Sequence, residues 1–174
     1  MAFRLIPREE KFYADFQALA DEAGVSIDVQ GEATVAADAT LFRRAVSNLA
    51  SNALTLVDYW RYTEKDVLIH ALPIFHVHGL FVALNTCLSQ GAKILWRQKF
   101  DGEAVVRSLP EATLFMGVPT FYTRLLSSQK FGKDTCRNMR LFVSGSAPLL
   151  AETHQEFRAR TGHARSSNAC APPR

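Results

Sequence analysis

A chain of 174 residues, 48% of them apolar, has room for one domain with a buried core and is too apolar for global disorder. Its 20 basic and 17 acidic residues leave a formal net charge of +3. That excess argues against a nucleic-acid partner, since no run of Lys and Arg interleaves with aromatics.

The N-terminus reads MAFRLIPREEK and has no apolar run ahead of its charges, so it does not read as a secretory signal. Residues 1–23 predict one amphipathic helix, with Phe12, Phe16, Leu19 and Ala20 on one stripe, Pro7 in its first turn and Gly24 at its C-terminal stop. Residues 25–35 alternate apolar and polar through Val25, Ile27 and Val29, which predicts a half-exposed strand with Gly31-Glu32 as its turn. Residues 38–54 return to helical spacing. Asp38 is a natural N-cap, and Leu41, Phe42, Ala45, Leu49 and Ala53 form the apolar face.

From Glu64 the rhythm changes to short apolar runs alternating with amphipathic helices. Strands are predicted at 66–72, 92–96, 113–116 and 140–143. Helices are predicted at 79–88, 102–109 (capped by Asp101), 120–127 (after Pro119) and 149–160. Four βα units in succession predict an α/β fold with a mostly parallel sheet, helices on its faces, and right-handed crossovers of the doubly wound kind. The most apolar stretch, 68–88, includes Pro73, Asn85 and three histidines, which a lipid-buried helix would not carry, so no membrane span is predicted. The three cysteines, Cys87, Cys136 and Cys170, stand far apart with no CxxC pair; reduced thiols in the cytoplasm are the expectation. Residues 164–174 carry no periodicity and read as a disordered tail.

Ligands of open parallel sheets sit beyond the carboxyl ends of the strands. Three predicted loops lie there: Pro73–Gly79, Gly117–Thr120 and Ser144–Pro148. Each joins a strand to a helix N-terminus, where free N–H groups and the dipole favour an anion. Small residues in the third loop would let a planar group approach the backbone. A plainer reading stands beside each: a turn, a structural histidine, and in Arg124 a solvated charge. His76 and His78 would alternate sides of an extended chain, a poor arrangement for a shared metal. The residues alone thus reach an α/β domain with a candidate anion or cofactor cleft.

The strings TLVDYWRYTEKDVLIHALPIFHVHGLFVALN, GVPTFYTRLL and MRLFVSGSAPLLAETHQEF occur in this order. Residues 55–163 resemble part of the large N-terminal domain of adenylate-forming acyl-CoA synthetases, malonyl-CoA synthetases in particular. The resemblance implies a ligase that uses ATP and Mg²⁺ to convert a carboxylic acid such as malonate to an acyl adenylate, then passes the acyl group to coenzyme A. It implies a role in the acyl site for His76, and a role for Gly145, Ser146, Ala147 and Pro148 in lining the nucleotide and acyl pockets. Arg124 and Ser144 are implied as partners of a second carboxylate, a task suited to a guanidinium. The family's Gly/Ser/Thr-rich phosphate loop is not found before Leu54. Its Tyr-Gly-x-Thr-Glu motif does not follow His163, and its C-terminal domain is not found either. The chain is therefore expected to be catalytically incompetent alone and to bind none of these cofactors.

Residues 24–54 resemble the start of a histidine-kinase ATPase domain, with Asn52 of NLASNA at the place of a Mg²⁺-binding asparagine. Residues 1–22 more loosely resemble a PhoU-like phosphate-transport regulator. The expectation is a chimera of three incomplete pieces, with segments 1–23, 24–54, 55–163 and 164–174. The alternatives are a nucleotide-binding signalling module and a non-catalytic interaction domain.

Overall fold

The structure, a computed structural model, describes residues 2–5, 33–36, 39–163 and 166–168. The chain divides into two compact units, Met1–Arg61 and Tyr62–Arg174.

In the first unit, β1 (Ala2–Leu5) pairs antiparallel with β2 (Ala33–Ala36), with Phe3 opposite Val35. This corrects the single helix expected over residues 1–23: its first residues are a strand, held by a partner some thirty residues away that no local pattern contains. The stripe of Phe12, Phe16, Leu19 and Ala20 lies outside the described residues, as does most of the strand expected at 25–35. Helix α1 covers Ala39–Trp60, well past the end expected at Leu54. Neither Gly nor Pro interrupts it, so nothing stops the helix between Leu54 and Thr55.

The second unit is built on strands β3 (Val67–His70), β4 (Lys93–Trp96), β5 (Leu114–Gly117), β6 (Leu141–Ser144) and β7 (Ser166–Asn168). They form one parallel sheet in the order β4-β3-β5-β6-β7. The expected parallel α/β architecture is present, and β5 and β6 are buried throughout, as parallel strands covered on both faces must be. β7 corrects the disordered tail. Residues 166–168 pair with β6, whose outer edge otherwise offers unpaired N–H and C=O groups.

The crossovers carry α2 (Asn85–Ser89), α3 (Gly102–Ser108), α4 (Pro119–Leu126) and α5 (Ala151–Thr161). Asp101 caps α3 by accepting from the Ala104 N–H at 2.8 Å, Pro119 starts α4, and Gly162 ends α5 in a left-handed conformation. The helix expected at 79–88 is instead a π-helical turn, His78–Leu84, leading into α2. Such turns are rare and recur near functional sites. Ile69, Phe115 and Phe142 from three adjacent strands pack with Val105, Tyr122, Leu125 and Phe157 from α3, α4 and α5 to form the core.

The amino ends of the strands are tied by charge. Buried Asp66, just before β3, takes a bidentate grip from Arg140, just before β6, at 2.8 and 2.6 Å. It also accepts from the Thr113 hydroxyl at 2.7 Å and from the Thr63 N–H at 2.9 Å. Among the described residues, the opposite, carboxyl end carries no such tie. There the strand order reverses: β3 steps outward to β4, and the chain then recrosses to β5. The crevice between β3 and β5 is thus the position where open sheets bind ligands.

Candidate functional site

At the carboxyl end of β3 the chain doubles back. His76 N–H donates to the Pro73 carbonyl at 3.3 Å, and Leu80 N–H to the His76 carbonyl at 3.0 Å. A Cβ on Gly79 would stand 2.2 Å from the Pro73 oxygen, so this fold of the loop needs glycine there. The result exposes Ile74, Phe75, His76 and Val77 and turns His78 inward, where it is buried.

His78 meets the loop that follows β6. Gly145 donates its N–H to the Gly117 carbonyl at 3.0 Å, which brings the β5 and β6 ends together. A Cβ on Gly145 would approach the His78 ring to 2.6 Å, so the imidazole packs directly on bare backbone. Ser146, next in the chain, has φ 68°, a strained value for a non-glycine residue, and its hydroxyl lies 3.4 Å from His78 Nδ1.

A second histidine lies deeper. His70, the last residue of β3, is 1% exposed, and its ring lies 4.8 Å from that of Trp96, its register partner on β4. Neither His70 nitrogen has a hydrogen-bond partner among the described residues, and the same holds for His78 Nε2 and the Ser144 hydroxyl. Burial pushes the His70 imidazole below its usual range. Burial first, and the nearby His70 second, do the same to His78. Both rings are therefore held neutral.

A histidine harder to protonate folded than unfolded contributes stability that is complete above the unfolded value and lost as pH falls through it. The chain should accordingly lose stability as pH drops below about 6.5. Urea unfolding at a series of pH values would register this as a falling midpoint; a flat midpoint would contradict it. Replacing both histidines by glutamine should abolish the slope.

The residues expected at the site from sequence do not all meet. Ser144 and Gly145 are buried at the end of β6, while Ser146, Ala147 and Pro148 form an exposed rim. His76 is exposed on the outside of its loop, its ring 4.6 Å from Phe75. Arg124 is exposed on α4, its guanidinium 4.9 Å from the Phe100 ring, which stacks on Phe121 at 3.9 Å. That platform holds the charge by cation–π attraction and leaves its N–H groups free of any ion pair among the described residues. Asn52 is exposed on α1, in the other compact unit. Among the described residues no group of three His, Cys, Asp or Glu side chains could hold a metal. No described helix is long and apolar enough to cross a membrane. Cys87 and Cys136 are free and buried, and burial pushes both thiols up to about 11.

Sequence reasoning missed His70 and the inward turn of His78. The signal for His70 was a lone imidazole inside an apolar run that a parallel sheet buries on both faces. The signal for His78 was its place before a glycine at a helix start.

The sequence pattern of the AMP-binding enzyme family matches residues 43–169. The chain is similar to the mitochondrial malonate–CoA ligase ACSF3 of Mus musculus, 36% identical over 132 residues that cover 67% of this chain and 23% of the mouse protein. It is similar to the malonate–CoA ligase of Arabidopsis thaliana, 31% identical over 67% of this chain and 22% of that protein. Among solved structures it is similar to ATP-bound MatB from Rhodopseudomonas palustris. That match has a TM-score of 0.66 and 61% identity over 67% of this chain and 23% of the solved one. A malonyl-CoA ligase ternary product complex with methylmalonyl-CoA and AMP matches with a TM-score of 0.63 and 33% identity, covering 80% of this chain and 30% of that one. The chain thus spans about a quarter of the length of the relatives it matches. The family match begins at residue 43, so it takes in Asn52 and the segment read as an N-box.

Proposed function

Because the chain belongs to the AMP-binding enzyme family, we propose that it is the acyl-site portion of a malonate-type acyl-CoA synthetase. The observation that carries this reading is the 61% identity with a MatB that binds ATP. In the intact enzyme ATP and Mg²⁺ activate the acid as an acyl adenylate, and coenzyme A takes the acyl group. This chain supplies one wall of that chemistry. Gly145 seats the His78 imidazole on bare backbone at the ends of β5 and β6, and the exposed Ser146–Pro148 rim borders the opening. The free guanidinium of Arg124 on its aromatic platform is a ready partner for a carboxylate.

Turnover needs the phosphate charge neutralised in the transition state, and this sequence offers no glycine-rich cradle for it. The chain alone is accordingly a binder and not a catalyst. Calorimetric titration with a non-hydrolysable malonyl-adenylate analogue should show saturable heat, and titration with ATP·Mg²⁺ should show none. A folded chain that ignores the analogue would end this reading. Formation of malonyl-CoA by the purified chain would end the second half of it.

A further inference from the structure

Ser146 and His78 form a pair that adenylation does not use. Ser146 Oγ lies 3.4 Å from His78 Nδ1, and the two residues come from loops 68 positions apart in sequence. A contact between a hydroxyl and its base is commonly this long before substrate arrives, and tightens when it does. The two members have opposite surroundings, as a nucleophile and its base require. Ser146 is exposed, where a substrate can reach it. His78 is 7% exposed, and its ring is seated on the bare backbone of Gly145. Burial keeps that ring neutral, and a neutral imidazole carries one acceptor lone pair for a hydroxyl proton.

The backbone points the same way. Ser146 stands two residues past the end of β6 at φ 68°, in the left-handed region. Glycine would hold such a turn at lower cost. A serine there instead lifts an oxygen above the carboxyl end of a parallel strand. Nucleophilic serines of α/β hydrolases are presented on a sharp, strained turn of this kind. The local sequence differs from theirs, since Gly145 stands one place before the serine and not two. The next N–H, that of Ala147, donates to no carbonyl among the described residues, which leaves it open to an oxyanion. No third group orients the imidazole: His78 Nε2 has no partner among the described residues, so turnover should be slower than a full triad gives.

We propose that Ser146 and His78 are a nucleophile–base dyad that hydrolyses small activated acyl esters. Ser146 Oγ attacks the ester carbonyl carbon and gives its proton to His78 Nδ1. The bond to the leaving oxygen breaks, and that oxygen departs with the proton from His78. Water then attacks the acyl-Ser146. His78 takes a proton from the water and returns one to Oγ, which frees the carboxylic acid and restores the serine. No phosphate has to be neutralised, so the lack of a glycine-rich cradle, which bars adenylation, leaves this chemistry open. It stands apart from the acyl-site reading and is judged separately.

The test uses the full chain, 4-nitrophenyl acetate, and a fluorophosphonate, which traps an activated serine. Peptide mass spectrometry should find one modified residue, Ser146. Ser146→Gly removes the hydroxyl and suits the left-handed turn, so it should fold as the parent does. It should lose the label and slow 4-nitrophenolate release about tenfold or more. His78→Gln should slow release by a similar factor with the hydroxyl still in place. The parent's rate should be level above about pH 6.5 and fall below it, as a histidine base requires. A rate that instead climbs with hydroxide up to about pH 9 overturns the dyad, and settles the question if His78→Gln does not fold. Labelling at other residues only, or ester hydrolysis unchanged in Ser146→Gly, overturns it too. None of these results touches the acyl-site reading, which its own titration decides.

Discussion

Phe157→Ala should lower the unfolding free energy by about 3–5 kcal/mol, the range for emptying a buried aromatic site. Phe157 is fully buried on α5 and stands at the centre of an aromatic set: Phe142 at 4.9 Å, Tyr122 at 5.7 Å and Phe131 at 5.7 Å between ring centroids. These rings come from β6, α4 and the segment after it, so none can move inward to fill the gap without distorting the sheet. The helix carries a second attachment. Arg160 donates to the carbonyls of Leu126, Ser128 and Phe131, holding the end of α4 to α5. Urea unfolding followed by circular dichroism measures the loss. Phe157→Leu should cost clearly less, and equal losses for the two substitutions would show that cavity volume is not the cause.

Arg140→Ala should cost about 3 kcal/mol, at the low end for removing one partner of a buried ion pair because the guanidinium is partly exposed. Its carboxylate partner has the opposite surroundings. Burial alone would raise the Asp66 carboxyl, but the hydrogen bonds from Arg140, Thr113 and Thr63 outweigh it and hold the group below its usual range. A carboxyl lowered in the folded state gives stability that is present above its unfolded value and lost as pH falls through it. Parent and variant should therefore differ most near neutrality and converge as pH drops below about 4. Arg140→Lys should not restore the parent, since an ammonium cannot grip both carboxylate oxygens in a fork. An unchanged gap between parent and Arg140→Ala at pH 7 and pH 3 would remove the ion pair from the explanation.

The four βα units could be read from sequence because parallel strands buried on both faces leave short unbroken apolar runs such as LFM and LFV. Asp101 and Pro119 marked helix starts by their local chemistry. What escaped was set by distant contacts. β1 exists because of β2, and β7 is a polar SSN segment whose strand character comes from the open edge of β6. The inward turn of His78 escaped for a related reason. Alternation along an extended chain put His76 and His78 on opposite sides, but it could not say which side was inside. That was decided by the tight return of the chain at Gly79 against Pro73. Gly145 was legible as a small residue in a loop, but its imidazole neighbour, 67 positions earlier by residue number (145 − 78), was not.

The tie between Asp66 and Arg140 also bears on how long a folded molecule lasts. Its two ends lie 74 residues apart in sequence, and β5 must be seated between β3 and β6 before they can meet. A contact that waits for three strands to align belongs to the last stages of folding, beyond the transition state. Removing it should leave the refolding rate nearly untouched and speed unfolding about a hundredfold. Asp66 and Arg140 thus act as a latch on the lifetime of the sheet, fastened at the amino ends of its strands, away from the loops proposed to border the acyl group.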